Sequence, residues 1–134
     1  MNKNTITKTA AAALTKGVIV KLDSSDSSKV AACGASDANA IGVVLDNAAQ
    51  GESVAVALLG LCNSTVEAVA SAAISAGAKV YQAADGKVKP APEAGLSAQT
   101  VYCVGVALAP AYASGNIIEI AHRAATVETI PAAE

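Results

Sequence analysis

The side chains able to do chemistry are few and widely spaced in this chain of 134 residues. The single histidine, His122, follows an apolar run and precedes Arg123. A hydrolytic triad needs a base held against a nucleophile and oriented by a third group. No GxSxG segment offers that nucleophile, and no second histidine completes a metal pair. His122 therefore reads as a surface or cap residue. No GxGxxG or Walker pattern is present to receive a phosphate. Asp23 and Asp26 stand among serines before Lys29, but the loop lacks the sixth-position glycine and distal glutamate of a calcium-binding EF-hand. It reads as a solvated turn. Glu52, Glu67, Glu93 and Glu119 are scattered and form no evident glycosidase pair. Cys33, Cys62 and Cys103 are odd in number and contain no CxxC, which argues against a disulfide framework and against zinc. They read as small buried hydrophobes, free thiols of a reducing cytoplasm, with Cys62 and Cys103 the better shielded. The expectation is a non-enzyme with no catalytic residue, no cofactor and no metal site.

The elements that hold these residues are built from small side chains. The chain is 53% hydrophobic yet has no Phe, no Trp and only three Tyr, at positions 81, 102 and 112. Each buried alanine removes little surface from water, so thin, closely spaced layers are expected, and a neighbouring surface would add useful burial. Net charge is −2 and no basic stripe or aromatic platform exists, which speaks against nucleic acid. The apolar stretch at 10–14 is shorter than a signal-peptide core and is followed by Lys16. Residues 96–118 lack charge but include Pro110, Gly115 and Asn116, so they read as strands and turns, not as a membrane span. A soluble protein without a signal of its own is expected.

The organisation is a duplication. Shifting the sequence by 60 overlays residues 5–20 on 65–80 with six of sixteen pairs identical, including Gly17/Gly77 and Val20/Val80. The match resumes as Lys29-Val30 on Lys87-Val88, 41–45 on 104–108 and 51–56 on 115–120. Two copies are too few for a solenoid, so a compact pseudo-symmetric pair is predicted. Copy one predicts strands at 17–22, 29–32, 41–45 and 53–59; copy two at 78–82, 87–90, 101–108 and 116–122. β-branched runs punctuated by Gly, Asp, Ser and Asn carry these assignments. Asp85-Gly86 is a hairpin signal. Residues 65–73 suit either a short capped helix or an extended strand, and pairing with 5–13 favours the strand. The predicted fold class is all-β, a small sandwich or barrel of two tandem copies (about 14–60 and 74–122 within a domain 14–123). An extended N-terminal arm, 1–13, and a C-terminal tail, 124–134, flank it.

The pattern resembles the capsid decoration, or cement, proteins of tailed bacteriophages. The resemblance lies in "Leu-Thr-Lys-Gly-Val-Ile-Val" at 14–20 and "Ala-Ile-Gly-Val-Val-Leu-Asp-Asn-Ala-Ala-Gln-Gly-Glu-Ser-Val-Ala-Val" at 40–56. The second copy repeats it with "Ile-Ser-Ala-Gly-Ala-Lys-Val-Tyr" at 74–81 and "Val-Gly-Val-Ala-Leu-Ala-Pro-Ala-Tyr-Ala-Ser-Gly-Asn-Ile-Ile-Glu-Ile" at 104–120. It covers about residues 5–122 and includes no signature side chain. It implies a structural protein made in the host cytoplasm and carried on the outer surface of the virion capsid. The implied partners are the major capsid protein and neighbouring copies of the chain, as a trimer at three-fold or quasi-three-fold sites. Nucleic acid and membrane are not among them.

Two other readings accompany it. A biotinyl- or lipoyl-like barrel-sandwich carrier would need a modified lysine at a hairpin tip, for which Lys87 is the nearest candidate. A bacterial surface-assembly subunit would need an export signal. For the capsid or neighbour contact the candidates are Asn2, Lys3, Asn4, Thr5, Ile6, Thr7 and Lys8. An arm of this composition is expected to be mobile when free and to order by strand addition, with Lys3 and Lys8 meeting acidic groups.

Overall fold

The computed structural model of the chain describes residues 4–62 and 64–132. Ten strands form it, and no α-helix occurs among the described residues. The first copy consists of β1 Thr5–Ala10, β2 Ile19–Leu22, β3 Lys29–Ala32, β4 Ala40–Val44 and β5 Ser53–Leu58. These close a barrel in the order β1-β3-β2-β4-β5. Every pairing is antiparallel except the short parallel contact of β1 with β3 at Thr9 and Ala10.

The second copy consists of β6 Val66–Val69, β7 Lys79–Gln82, β8 Val88–Lys89, β9 Gln99–Ala107 and β10 Ile117–Ile130. Its order is β6-β10-β9-β7-β8, a five-stranded sheet that a single parallel bridge between Ala70, just past β6, and Val88 brings round into a second barrel. The two copies thus share their pairings strand for strand. The agreement extends to single bonds. Leu14 bridges Ala48 as Ile74 bridges Ala111. The Gly17 N–H donates to the Val44 carbonyl at 2.9 Å, and the Gly77 N–H to the Ala107 carbonyl at 2.8 Å.

Small aliphatic side chains suit so narrow a closure. The interior of the first barrel is filled by Ala10, Leu14, Val18, Val20, Val30, Val44, Ala48, Val54 and Val56. A five-stranded barrel is narrower than the eight-stranded kind that side chains just fill, so rings as large as Phe or Trp would overpack it. Strands also approach closely where a glycine replaces a side chain. A Cβ at Gly42 would overlap the Ala57 carbonyl, and one at Gly105 the Ala121 carbonyl.

The barrels pack through unlike faces. Ile19, Cys33, Val43, Ala57 and Leu59 are buried on the outside of the first barrel and join the core of the second in one continuous cluster. Gly86, in the 3-10 turn Ala84–Gly86, sits against Val18 and donates its N–H to the Cys33 carbonyl at 2.8 Å. The buried Gln82 donates through Nε2 to the Asp37 carbonyl at 2.7 Å, and Lys16 pairs with Glu67 at 2.7 Å.

Several expectations are corrected here. Residues 5–10 are not an arm: they are β1, bonded along β5, because closing the barrel requires a fifth strand. Residues 66–69 are extended, as their pairing with the first copy favoured, since β6 takes the place of β1 in the second barrel. The expected tail is also strand as far as Ile130. Thr126 to Ile130 pair with Cys103 to Gln99, past an irregularity between His122 and Thr126. Ile130 then packs on Tyr81, Val101 and Cys103. With β1 and β6 added, the eight predicted strands become ten.

Candidate functional site

Of the expected contact residues, Asn2 and Lys3 lie outside the described residues. Asn4 has a left-handed backbone, φ 56°, and its Nδ2 donates to the Leu61 carbonyl at 2.6 Å. Thr5 to Lys8 run beside β5, whereas β3 joins β1 only at Thr9. Among the described residues, the other backbone edge of Thr5, Ile6 and Thr7 therefore has no strand along it. Ile6 packs on the barrel interior, Thr5 and Thr7 are exposed, and Lys8 donates through Nζ to the Ser27 carbonyl at 2.9 Å. Lys8 was expected to meet an outside acid; its ammonium is bonded within the chain.

Ser27 belongs to a turn that satisfies its own carboxylates. Asp23 accepts from the Ser25 hydroxyl at 2.7 Å, and Asp26 from the Ser28 hydroxyl at 2.6 Å. These bonds hold both carboxyls below the usual aspartate range. The same carboxylates also accept from the Ser25 and Ser28 backbone N–H groups, the geometry of Asx turns. Among the described residues, no group of three His, Cys, Asp or Glu side chains converges as a metal site.

His122 is a clamp. Its Nδ1 accepts from the Gly60 N–H at 2.9 Å, and its Nε2 lies 2.9 Å from the Ser64 carbonyl. Both ring nitrogens are occupied by backbone of the segment joining the barrels, which fixes the neutral tautomer with hydrogen on Nε2. Among the described residues, no nucleophile or carboxylate is bonded to the ring. Sequence reasoning reached a cap residue, but the capped segment is 58 and 62 positions away. Nothing local in the sequence marks that pairing.

A polar cluster stands on the outer face of the second barrel. Glu128 accepts from the Tyr81 hydroxyl at 2.8 Å and lies 3.5 Å from Lys79 and 3.9 Å from Arg123. Arg123 donates to the Cys103 sulfur at 2.8 Å. The Tyr81 bond, then Lys79 and Arg123, hold the Glu128 carboxyl below its usual value, while burial first, and Glu128 second, push Tyr81 up to about 12. This cluster joins β7 to the end of β10, which sequence reasoning had assigned to a tail. Lys87 is half-buried in a cleft of about 330 Å3 between the barrels, beside Asp85 and Val18. That place is not the exposed hairpin tip a carrier lysine needs. The three cysteines are free; Cys33 and Cys103 are buried and Cys62 is only half-buried, so the shielded pair is not the one expected.

What the described surface offers is contact area. It is a barrel edge at Thr5 to Thr7 and scattered exposed apolar side chains such as Leu108, Tyr112 and Ile117. Such a surface suits binding to other proteins. The phage cement protein family matches residues 1–123. The chain belongs to that family. The duplicated barrels of this cement protein are also similar to a solved phage structure, the head fiber gp8.5 N base in bacteriophage phi29. The TM-score is 0.67 at 14% identity, covering 92% of this chain and 97% of that one. At that identity the likeness is one of fold. No curated protein matches the cement protein. The family makes it a structural, capsid-associated protein of a phage virion.

Proposed function

We propose that this cement protein binds the outer surface of the phage head and stabilises the shell by bridging neighbouring subunits of the major capsid protein, without catalysis. The observation that carries the reading is the family match over residues 1–123. The site geometry supports it. His122 is occupied by backbone, the Asp23 and Asp26 carboxylates by their own turn, and Lys87 by the cleft between barrels. A two-barrel body with unlike ends can touch two neighbours at once, and many copies on one shell add avidity to weak individual contacts. Each bound copy stabilises the assembled shell by mass action. The segment Asn2 to Lys8 remains the proposed contact with shell or neighbour, and the open edge at Thr5 to Thr7 is what it offers.

The test is reconstitution. Heads of the phage that encodes the chain, prepared without it, are mixed with purified protein, pelleted and imaged by cryo-electron microscopy. Density on the outer surface at the junctions between capsid subunits, with a raised disruption temperature of the heads, is expected. Binding that leaves head stability unchanged, or no binding, overturns the bridging role.

A further inference from the structure

The cleft between the barrels carries charges that the fold does not use. Its first-barrel wall is the corner 13–15 with Val18 and Ala32, and its second-barrel wall is Val69, Asp85 and Lys87. Leu14 and Val18 are buried, Val69 and Lys87 half-buried, and Ala13, Thr15 and Ala32 exposed, which makes an apolar floor under an open mouth. Lys8, Lys16, Lys21, Lys79 and Arg123 are each bonded within the chain. Among the described residues, the side chains of Lys87 and Asp85 have no hydrogen bond or ion pair, and neither has the half-buried Lys89. Lys87 to Lys89 are extended, so the two lysines share one face of β8. The turn beneath them is fixed: the Gly86 N–H donates to the Cys33 carbonyl and the Ala83 N–H to the Lys87 carbonyl, both at 2.8 Å. The second barrel has its own hollow, of about 300 Å3, at the equivalent corner 73–75, and the residues lining it are uncharged.

We propose that this cleft receives a short segment of the major capsid protein in which an aliphatic side chain stands beside a carboxylate. The proposal rests on the shell reading and adds a second contact, apart from the β1 edge, that touches both barrels at once. The aliphatic side chain packs on Leu14, Val18 and Val69. The carboxylate pairs with Lys87, with Lys89 on the same face behind it, and Asp85 accepts a backbone N–H of the segment. Charge and shape together select that occupant. An ammonium held ready in partly dry surroundings gains more from a carboxylate than one in open water does. A free inorganic anion would leave the apolar floor uncovered and be repelled by Asp85, whereas a peptide supplies all three complements. At about 330 Å3 the cleft is at the small end of ligand sites, so it takes one or two residues of the segment.

The test is binding of the full chain to heads prepared without it, measured by pelleting over a range of concentration. Circular dichroism and melting confirm that each variant is folded. Lys87→Glu is expected to weaken binding by about tenfold or more, the size of a lost charge-assisted bond, and Lys87→Arg to bind as the parent does. Lys29→Glu reverses the equivalent, exposed charge of the first barrel and is expected to leave binding unchanged. A benzophenone side chain placed at the exposed position 15 is expected to crosslink to the major capsid protein on irradiation. A folded Lys87→Glu that binds as the parent does, or a Lys29→Glu that loses as much, overturns the inference. So does a benzophenone at position 15 that joins only copies of the chain, or nothing. A parent that binds heads while these expectations fail leaves the shell reading standing, and a parent that does not bind overturns both.

Discussion

His122 shows how a lone reactive residue can be structural. Its ring joins Gly60 and Ser64 to β10, so His122→Ala removes two partly exposed hydrogen bonds. A loss of about 1–2 kcal/mol in urea unfolding is expected, with binding to heads unchanged. A large loss of head binding by a folded variant would mean that the ring touches the shell. The cysteines differ by burial. Burial pushes the Cys33 thiol up to about 11, and Cys103 is enclosed beneath Arg123. A thiol reagent at neutral pH is expected to label Cys62 in the native protein and the other two only on unfolding. Gly42 and Gly105 face carbonyls of β5 and β10 with no space for a methyl. Gly42→Ala is expected to cost about 1–3 kcal/mol, the usual range for overpacking, read as a lowered urea midpoint.

Pairing between segments distant in the chain governs the elements. Deleting residues 2–9 removes nearly all of β1, leaving β5 and the end of β3 without a partner. The expected result is an unfolded first barrel, seen as loss of the native circular dichroism signal, and not the folded remainder that a free arm would leave. The end of β10 has a second role, since Glu128 ties it to β7. The Glu128 carboxyl is held below its usual value, so its contribution is full above the ordinary glutamate pKa of about 4.3 and is lost as pH falls through the lower folded value. Tyr81 has the opposite sign. Its phenol stays protonated up to about 12, so its contribution is full below the ordinary tyrosine pKa of about 10 and is lost as pH rises toward the folded one. Tyr81→Phe is expected to flatten both limbs of a stability-against-pH curve. A curve unchanged at both ends would show that the cluster contributes nothing to folding.

At the scale of the whole molecule, the two barrels share one core. Side chains from the outside of the first barrel and the inside of the second form a single buried cluster. The 134-residue chain is therefore expected to unfold in one cooperative transition, with calorimetric and van't Hoff enthalpies equal. Two separated transitions would show that the barrels fold independently.

The repeat of glycines and small apolar residues determined the all-β class, the two copies and most strand positions, because closing a narrow barrel admits few side chains at each place. Gly17/Gly77 and Gly42/Gly105 mark equivalent backbone positions and are legible without coordinates. The roles of residues 5–10 and 124–130 were not legible. Their sequences lack the apolar density of a core strand, and only the pairing edges supplied by β5 and β9 draw them into the sheets. The clamp at His122 and the Glu128 cluster also depend on tertiary structure, since they join residues far apart in the chain. The burial of Ile19 beside the exposure of Lys79 was visible as a substitution, but its cause was not. Two copies with the same fold differ in what covers them, and that is set by how one barrel packs on the other.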